Sequence, residues 1–257
     1  GDDVLRAAGK APAAAAPAPA AAAPAPAAAP GAAAPAAAPA APAPAAPSQA
    51  GAVPFTTMQG AIAKNMQASL DVACFRCTVD ICTDDFDALY KQLKPKGVTM
   101  TALLSKAIGN AVGQFPVINA SCDGNGFVYN EDVNIAVAVA MDDGGLITPV
   151  LKKADQTDIY ELSRQWKDLV GKARAKKLAP DEYSTGTFTM SNLGMFGVSQ
   201  FDAILPPGQG GIMAVSSAIP TVCAMPDGST KVRKIMKVTL TADHRTVMGK
   251  DLSLIHI

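Results

Sequence analysis

Histidine is scarce in this chain, with two among 257 residues. Aromatic residues make up 5 %, and there is a single tryptophan. Basic and acidic side chains number 22 each, so the formal net charge is zero. No basic field is available to draw nucleic acid or an anionic membrane, and neither is expected as a partner. No segment offers the ~20 continuous apolar residues that a membrane helix needs. The first residue is Gly1, with no charged n-region and no h-region behind it. The sequence therefore reads as a fragment, with any targeting peptide lying outside it.

Cysteine is also sparse. Cys74, Cys77, Cys82, Cys122 and Cys223 are odd in number and irregular in spacing, which argues against a disulfide framework and for a reducing compartment. Cys74 and Cys77 form a CxxC. They sit in an extended run in which Phe75, Cys77, Val79 and Ile81 share a face, so the two thiols point to opposite sides. No second CxxC and no nearby histidine completes a metal site, and none is expected.

What is abundant is alanine and proline. Residues 11–52 contain little else, and recurrent proline forbids a continuous helix and favours extended segments. This stretch is expected to be a disordered, semi-rigid spacer, reaching at most ~3.1 Å per residue. It serves either as a swinging arm or as a passive tether. Residues 1–10 resemble the end of a short helix, with Asp2 and Asp3 early and Gly9 late.

From Val53 the pattern changes. Helices are expected over Phe55–Leu70, from Thr83 as cap to Leu93, from Thr99 or Thr101 to Phe115, and over Asp158–Lys177, where Ile159, Leu162, Trp166 and Leu169 recur at helical spacing. Strands are expected over Ala73–Cys82, Val133–Met141, Leu146–Leu151, Thr187–Met190, Gly211–Ala218 and Lys231–Ala242, with a turn at Asp142–Gly145. Asp84, Asp85 and Asp87 read as helix-start charges. The expected fold is one α/β domain over 53–257, with a mixed sheet and flanking helices.

Two places stand out for chemistry. His244 follows a long apolar strand between Asp243 and Arg245, where a sheet protein can hold a proton-transferring group at a cleft rim. It serves either as a base or as a structural, hydrogen-bonded histidine. The other histidine, His256, is penultimate, an unfavourable place for an ordered site. In residues 188–197, FTMSNLGMFG, Ser191 and Asn192 follow a strand, and Gly194 and Gly197 bracket a tight loop. Such a loop either aims a hydroxyl and backbone N–H groups at a developing oxyanion or is an ordinary strand-to-turn segment. No Gly-x-Ser-x-Gly surrounds Ser191, and residues 206–211 lack the Lys-Ser/Thr of a phosphate loop.

Taken in order, the helix tail, the Ala/Pro arm, GLITPV at 145–150, FTMSNLGMFG and ADHR at 242–245 resemble 2-oxo acid dehydrogenase E2 acyltransferases. Their cores are similar to chloramphenicol acetyltransferase. The resemblance covers essentially the whole chain. It implies that 1–10 is the remnant of a peripheral-subunit-binding domain, 11–52 the interdomain linker and 53–257 the catalytic core. It further implies acetyl transfer between dihydrolipoamide and coenzyme A in a pyruvate dehydrogenase complex. The lipoyl domain lies elsewhere. His244 is the implied base, Ser191 the oxyanion donor, and Asp243, Arg245, Asn192 and Gly194 the supporting loops. Implied partners are copies of the chain, as trimers in a 24-mer or 60-mer, the E1 and E3 enzymes and lipoyl domains. SNLGMFG and FTTMQGAIAKNM look most like the plastid type, which implies a stromal location, with the mitochondrial matrix as alternative. The rival functions are a non-catalytic E2-like scaffold and an E2 for succinyl or branched-chain groups.

The chain departs from the family pattern in three places. Met248 stands where an Asp is common, and Gln59 where many relatives carry Arg. The two changes are expected to belong together, because removing one partner of a buried ion pair alone is costly. After Gly249 the family continues into a final helix, and SLIHI at 253–257 does not fit one, so the end looks truncated or altered.

Overall fold

The structure is a computed structural model that describes residues 54–141 and 145–254. The expectations for 1–10, for 11–52, for Asp142–Gly144 and for His256 fall outside the described residues.

The first helix, α1 (Thr57–Ser69), opens on a capping box. The Gln59 N–H donates to the Thr56 hydroxyl, and the Thr56 N–H donates to the Gln59 side-chain oxygen at 3.0 Å. Gln59 is thereby used within its own helix rather than toward Met248, whose side chain is exposed.

β1 (Cys74–Cys82) and α2 (Asp84–Leu93) follow as the alternation and the charge pattern predict. Thr83 does not cap α2. Its hydroxyl and its N–H both donate to the Lys234 carbonyl, so it stitches the helix start to a distant strand. α3 (Met100–Gln114) is capped by Thr99, which accepts from the Ala102 N–H.

A small hairpin comes next, β2 (Ala120–Cys122) with β3 (Phe127–Tyr129). The single strand expected over 133–141 is two strands, β4 (Ile135–Val137) and β5 (Val139–Ala140), in different sheets. The chain changes partner at Ala138, whose N–H donates to the Met190 carbonyl. Likewise 146–151 divides into β6 (Leu146–Ile147) and β7 (Val150–Leu151), with Pro149, which has no N–H to donate, between them. α4 (Ile159–Arg174) is capped by Asp158 and buries Leu162, Trp166 and Leu169.

The last strands are β8 (Phe188–Asn192), β9 (Gly211–Ala224) and β10 (Thr230–Asp243). β9 runs on past Ala218, the expected end. β8 stops opposite Val215, so Pro220 lies on a free edge where its missing N–H leaves no ladder bond unmade. Finally α5 (Gly249–Leu254) takes in Ser253 and Leu254, the first two residues of the end expected not to fit the final helix, while 255–257 lie outside the described residues. The Asp251 carboxylate accepts from the Met248 N–H at 3.0 Å and fixes its start.

The main sheet is mixed and has six strands in the order β1-β10-β9-β8-β4-β7. β4, β8 and β9 run parallel, and the other pairs are antiparallel. On one face, α3 and α4 pack over it. Leu104, Ile108 and Val112 of α3 meet Leu162, Trp166 and Leu169 of α4 above Phe188, Met190, Met213, Val215 and Leu240. Each such side chain, fully buried, contributes about 1.5–3 kcal/mol. On the other face a smaller cluster, Ala203, Leu205, Ile212 and Ala214, is roofed by the 201–205 segment.

Cys74 belongs to the second face and Cys77 to the first, so the CxxC is split by the sheet as its spacing predicts. None of the five cysteines is in a disulfide among the described residues.

Candidate active site

Strand β10 delivers Asp243 and then His244 at its end. Asp243 is 3 % exposed. Both its carboxylate oxygens accept from the Arg245 guanidinium, at 2.7–3.1 Å, and one also accepts from the Arg245 N–H. Burial pushes the Asp243 carboxyl up, but the bonds and charge from Arg245 outweigh it, and the net shift is downward. The Asp243 carbonyl accepts from the N–H groups of Thr246 and Val247, closing the turn. His244 stands exposed at its apex. Its N–H donates to the Ala73 carbonyl at 2.7 Å, and its ring meets Phe75 with centroids 5.1 Å apart.

Ser191 and Asn192 are the last two residues of β8 rather than the residues after it. The loop beyond them is tied down internally. The Leu193 N–H donates to the Val215 carbonyl, and the Gly194 N–H donates to the Asn192 side-chain oxygen at 2.8 Å. The Ser217 hydroxyl donates to the Gly194 carbonyl at 2.6 Å. A Cβ at Gly194 would come within 3.0 Å of the Ser216 carbonyl oxygen, so this close approach requires glycine. At Gly197 the chain turns through φ +74. The N–H groups of Leu193 and Gly194 are thus occupied within the loop. The half-buried Ser191 hydroxyl remains as a donor.

One chain does not bring Ser191 and His244 together. Phe188, Gly211 and Ala242 lie in one cross-strand row. Ser191 lies three residues to one side of that row, His244 two residues to the other, and β9 runs between their strands. Strand spacings make that on the order of 15–20 Å. The two also leave opposite faces. Met190 enters the helix-side core, so its neighbour Ser191 points the other way, beside Ala214 of the second cluster. His244 sits against Phe75, which packs on the helix side.

A groove of about 610 Å³ opens on the face that carries Ser191. It is lined by Met66 and Leu70 of α1, by Ile204 and Leu205, and by Cys74 and Arg76 of β1. Cys74 is the cross-strand partner of Asp243. Burial raises the pKa of the Cys74 thiol, with the nearby Arg76 opposing. The Ala73 carbonyl, Phe75 and this groove had no local signature. Only the long-range pairing of β1 with β10 reveals them.

Comparison with known proteins places this arrangement. The chain is 62 % identical over 202 residues to the chloroplastic dihydrolipoyllysine-residue acetyltransferase component 5 of pyruvate dehydrogenase complex of Arabidopsis thaliana, over 78 % of this chain and 43 % of the relative. It is 37 % identical over 205 residues to the corresponding component of Rickettsia felis, over 77 % of this chain and 49 % of that one. The chain therefore spans less than half the length of these curated relatives. Among solved structures it resembles a probable dihydrolipoamide acetyltransferase from Listeria monocytogenes (TM-score 0.74, 29 % identity, 80 % of this chain and 92 % of that one). It also resembles the cubic core of the pyruvate dehydrogenase multienzyme complex (TM-score 0.75, 27 % identity, 81 % and 88 %). The family model for the 2-oxoacid dehydrogenases acyltransferase (catalytic domain) matches residues 47–254, and the chain belongs to that family.

Proposed function

We propose that this chain transfers an acetyl group between dihydrolipoamide and coenzyme A, as the core of a plastid pyruvate dehydrogenase complex. The observation that carries the reading is an exposed histidine, braced by the Ala73 carbonyl and the Asp243–Arg245 turn, in a chain whose β8 ends on a half-buried serine hydroxyl facing the opposite side of the sheet. The comparisons with acetyltransferase components of that complex, two of them chloroplastic, support the acyl group and the plastid stroma.

Because Ser191 and His244 face apart, a working site takes Ser191 from one copy and His244 from a neighbour. Assembly of trimers into a larger core supplies that arrangement, and likeness to the cubic core supports it. His244 takes the proton of the attacking thiol, and the thiolate adds to the thioester carbonyl. Ser191 donates to the tetrahedral oxyanion. The intermediate then collapses, expelling the other sulfur, which recovers the proton from the imidazolium. Thiols ionise only partly near neutral pH, so removing the proton during attack lowers the barrier. Residues 1–10 and 11–52 serve as the end of the domain that binds E1 and E3 and as the linker to the core.

The test is acetyl transfer from acetyl-CoA to free dihydrolipoamide, with wild type and His244→Ala side by side. The expected loss is on the order of 10²–10⁴-fold. Near-normal turnover in the variant removes His244 from the mechanism. An inactive but assembled wild type leaves a scaffold.

A further inference from the structure

His244 lies one residue beyond the last ladder pair of β10, where regular strand geometry no longer dictates a side-chain direction. The turn 243–247 is closed by bonds to the Asp243 carbonyl and by the Asp243–Arg245 ion pair, and none of these reaches the imidazole. An aromatic side chain does. The Phe75 ring meets the imidazole edgewise, at 5.1 Å between centroids and 70° between planes. The same ring lies close to the far end of the segment: a Cβ added to Gly249 would stand 3.9 Å from Phe75 Cζ. Phe75 is itself anchored below, packed on the helix-side core and paired across the strands with Ala242.

We propose that Phe75 is a positioning residue for acyl transfer: its ring lies beside His244 and close to Gly249, and it sets the direction in which the His244 imidazole meets the incoming thiol. This rests on His244 being the base. Proton transfer requires hydrogen-bond reach, and a misplacement of ~1 Å costs on the order of 10²-fold in rate. An aliphatic side chain of similar bulk fills the core below but does not reproduce the edgewise contact above.

The experiment measures acetyl transfer to free dihydrolipoamide for the assembled wild type, Phe75→Leu, Phe75→Tyr and His244→Ala, with particle size and unfolding temperature checked for each. Phe75→Leu is expected to lower kcat about tenfold while KM for both substrates stays within about twofold. The pH at which kcat/KM rises is expected to shift as well, a change that a purely structural role would not produce. Phe75→Tyr, which keeps the ring, is expected to recover most of the rate. If Phe75→Leu fails to assemble, Phe75→Met, also ringless, is measured instead with the same outcomes. Wild-type kcat in an assembled ringless variant, with His244→Ala inactive, overturns the positioning role alone. An active His244→Ala overturns the base assignment and this proposal with it.

Discussion

Asp243 holds Arg245 two residues ahead of it in a two-pronged ion pair, with the Asp243 side chain 4 % exposed and the Arg245 side chain 42 % exposed. The carboxylate is thus buried while its partner keeps one side in water, and the turn that presents His244 depends on a charge that acid can remove.

Asp243 has a folded pKa below its ordinary value, so its stabilising contribution is complete above about pH 3.9. That contribution is lost as pH falls through the lowered folded value. Asp243→Asn is expected to cost about 1–3 kcal/mol at neutral pH, less than a fully buried pair because Arg245 is partly solvated. The variant should also lack part of the wild type's loss of stability on acidification. Denaturant unfolding at pH 7 and at about pH 3 checks both statements.

Ser191→Ala removes the hydroxyl assigned to the oxyanion. The expected cost is about 2–4 kcal/mol of transition-state stabilisation, expressed in kcat. A change confined to KM contradicts the assignment.

Mixed assemblies test the two-copy site directly. Ser191→Ala and His244→Ala copies, each inactive alone, are expected to regain about a quarter of wild-type activity when co-assembled in equal amounts, because a site works when each neighbour contributes its intact residue. Activity no greater than the sum of the separate variants means that both residues serve one chain.

Two glycines should respond in opposite senses. A Cβ at Gly210 would meet the carbonyl oxygens of Ile118 and Ala120 at 2.3 Å, and the Gly210 carbonyl accepts from the Asp243 N–H. Gly210→Ala therefore forces backbone apart beside the histidine turn and is expected to cost more than about 2 kcal/mol. At Gly171, inside α4, a Cβ meets nothing within 4 Å. Gly171→Ala is expected to stabilise by about 0.5–1 kcal/mol. Thermal unfolding of the two variants checks the pair.

The sequence made legible whatever depends on near neighbours. Trp166 and Leu169 declared the helix they sit on, and Cys74 and Cys77 fell on opposite faces as their spacing required. It failed where a distant partner decides. β5 leaves the main sheet to pair with β6, and Thr83 turns its hydroxyl to Lys234 instead of capping its helix. Pro220 continues a strand because β8 has already stopped. The motif residues Ser191 and His244 could be named from the sequence. Their facing apart could not, because it follows from the register of β8, β9 and β10.

That outward facing has a consequence for the life of the protein before it joins its complex. If Ser191 of one copy works with His244 of another, as proposed, a newly made chain holds half of each of two sites and a whole of none. It then cannot squander acetyl thioesters while it waits for partners, and the concentration at which copies associate sets the threshold at which chemistry begins.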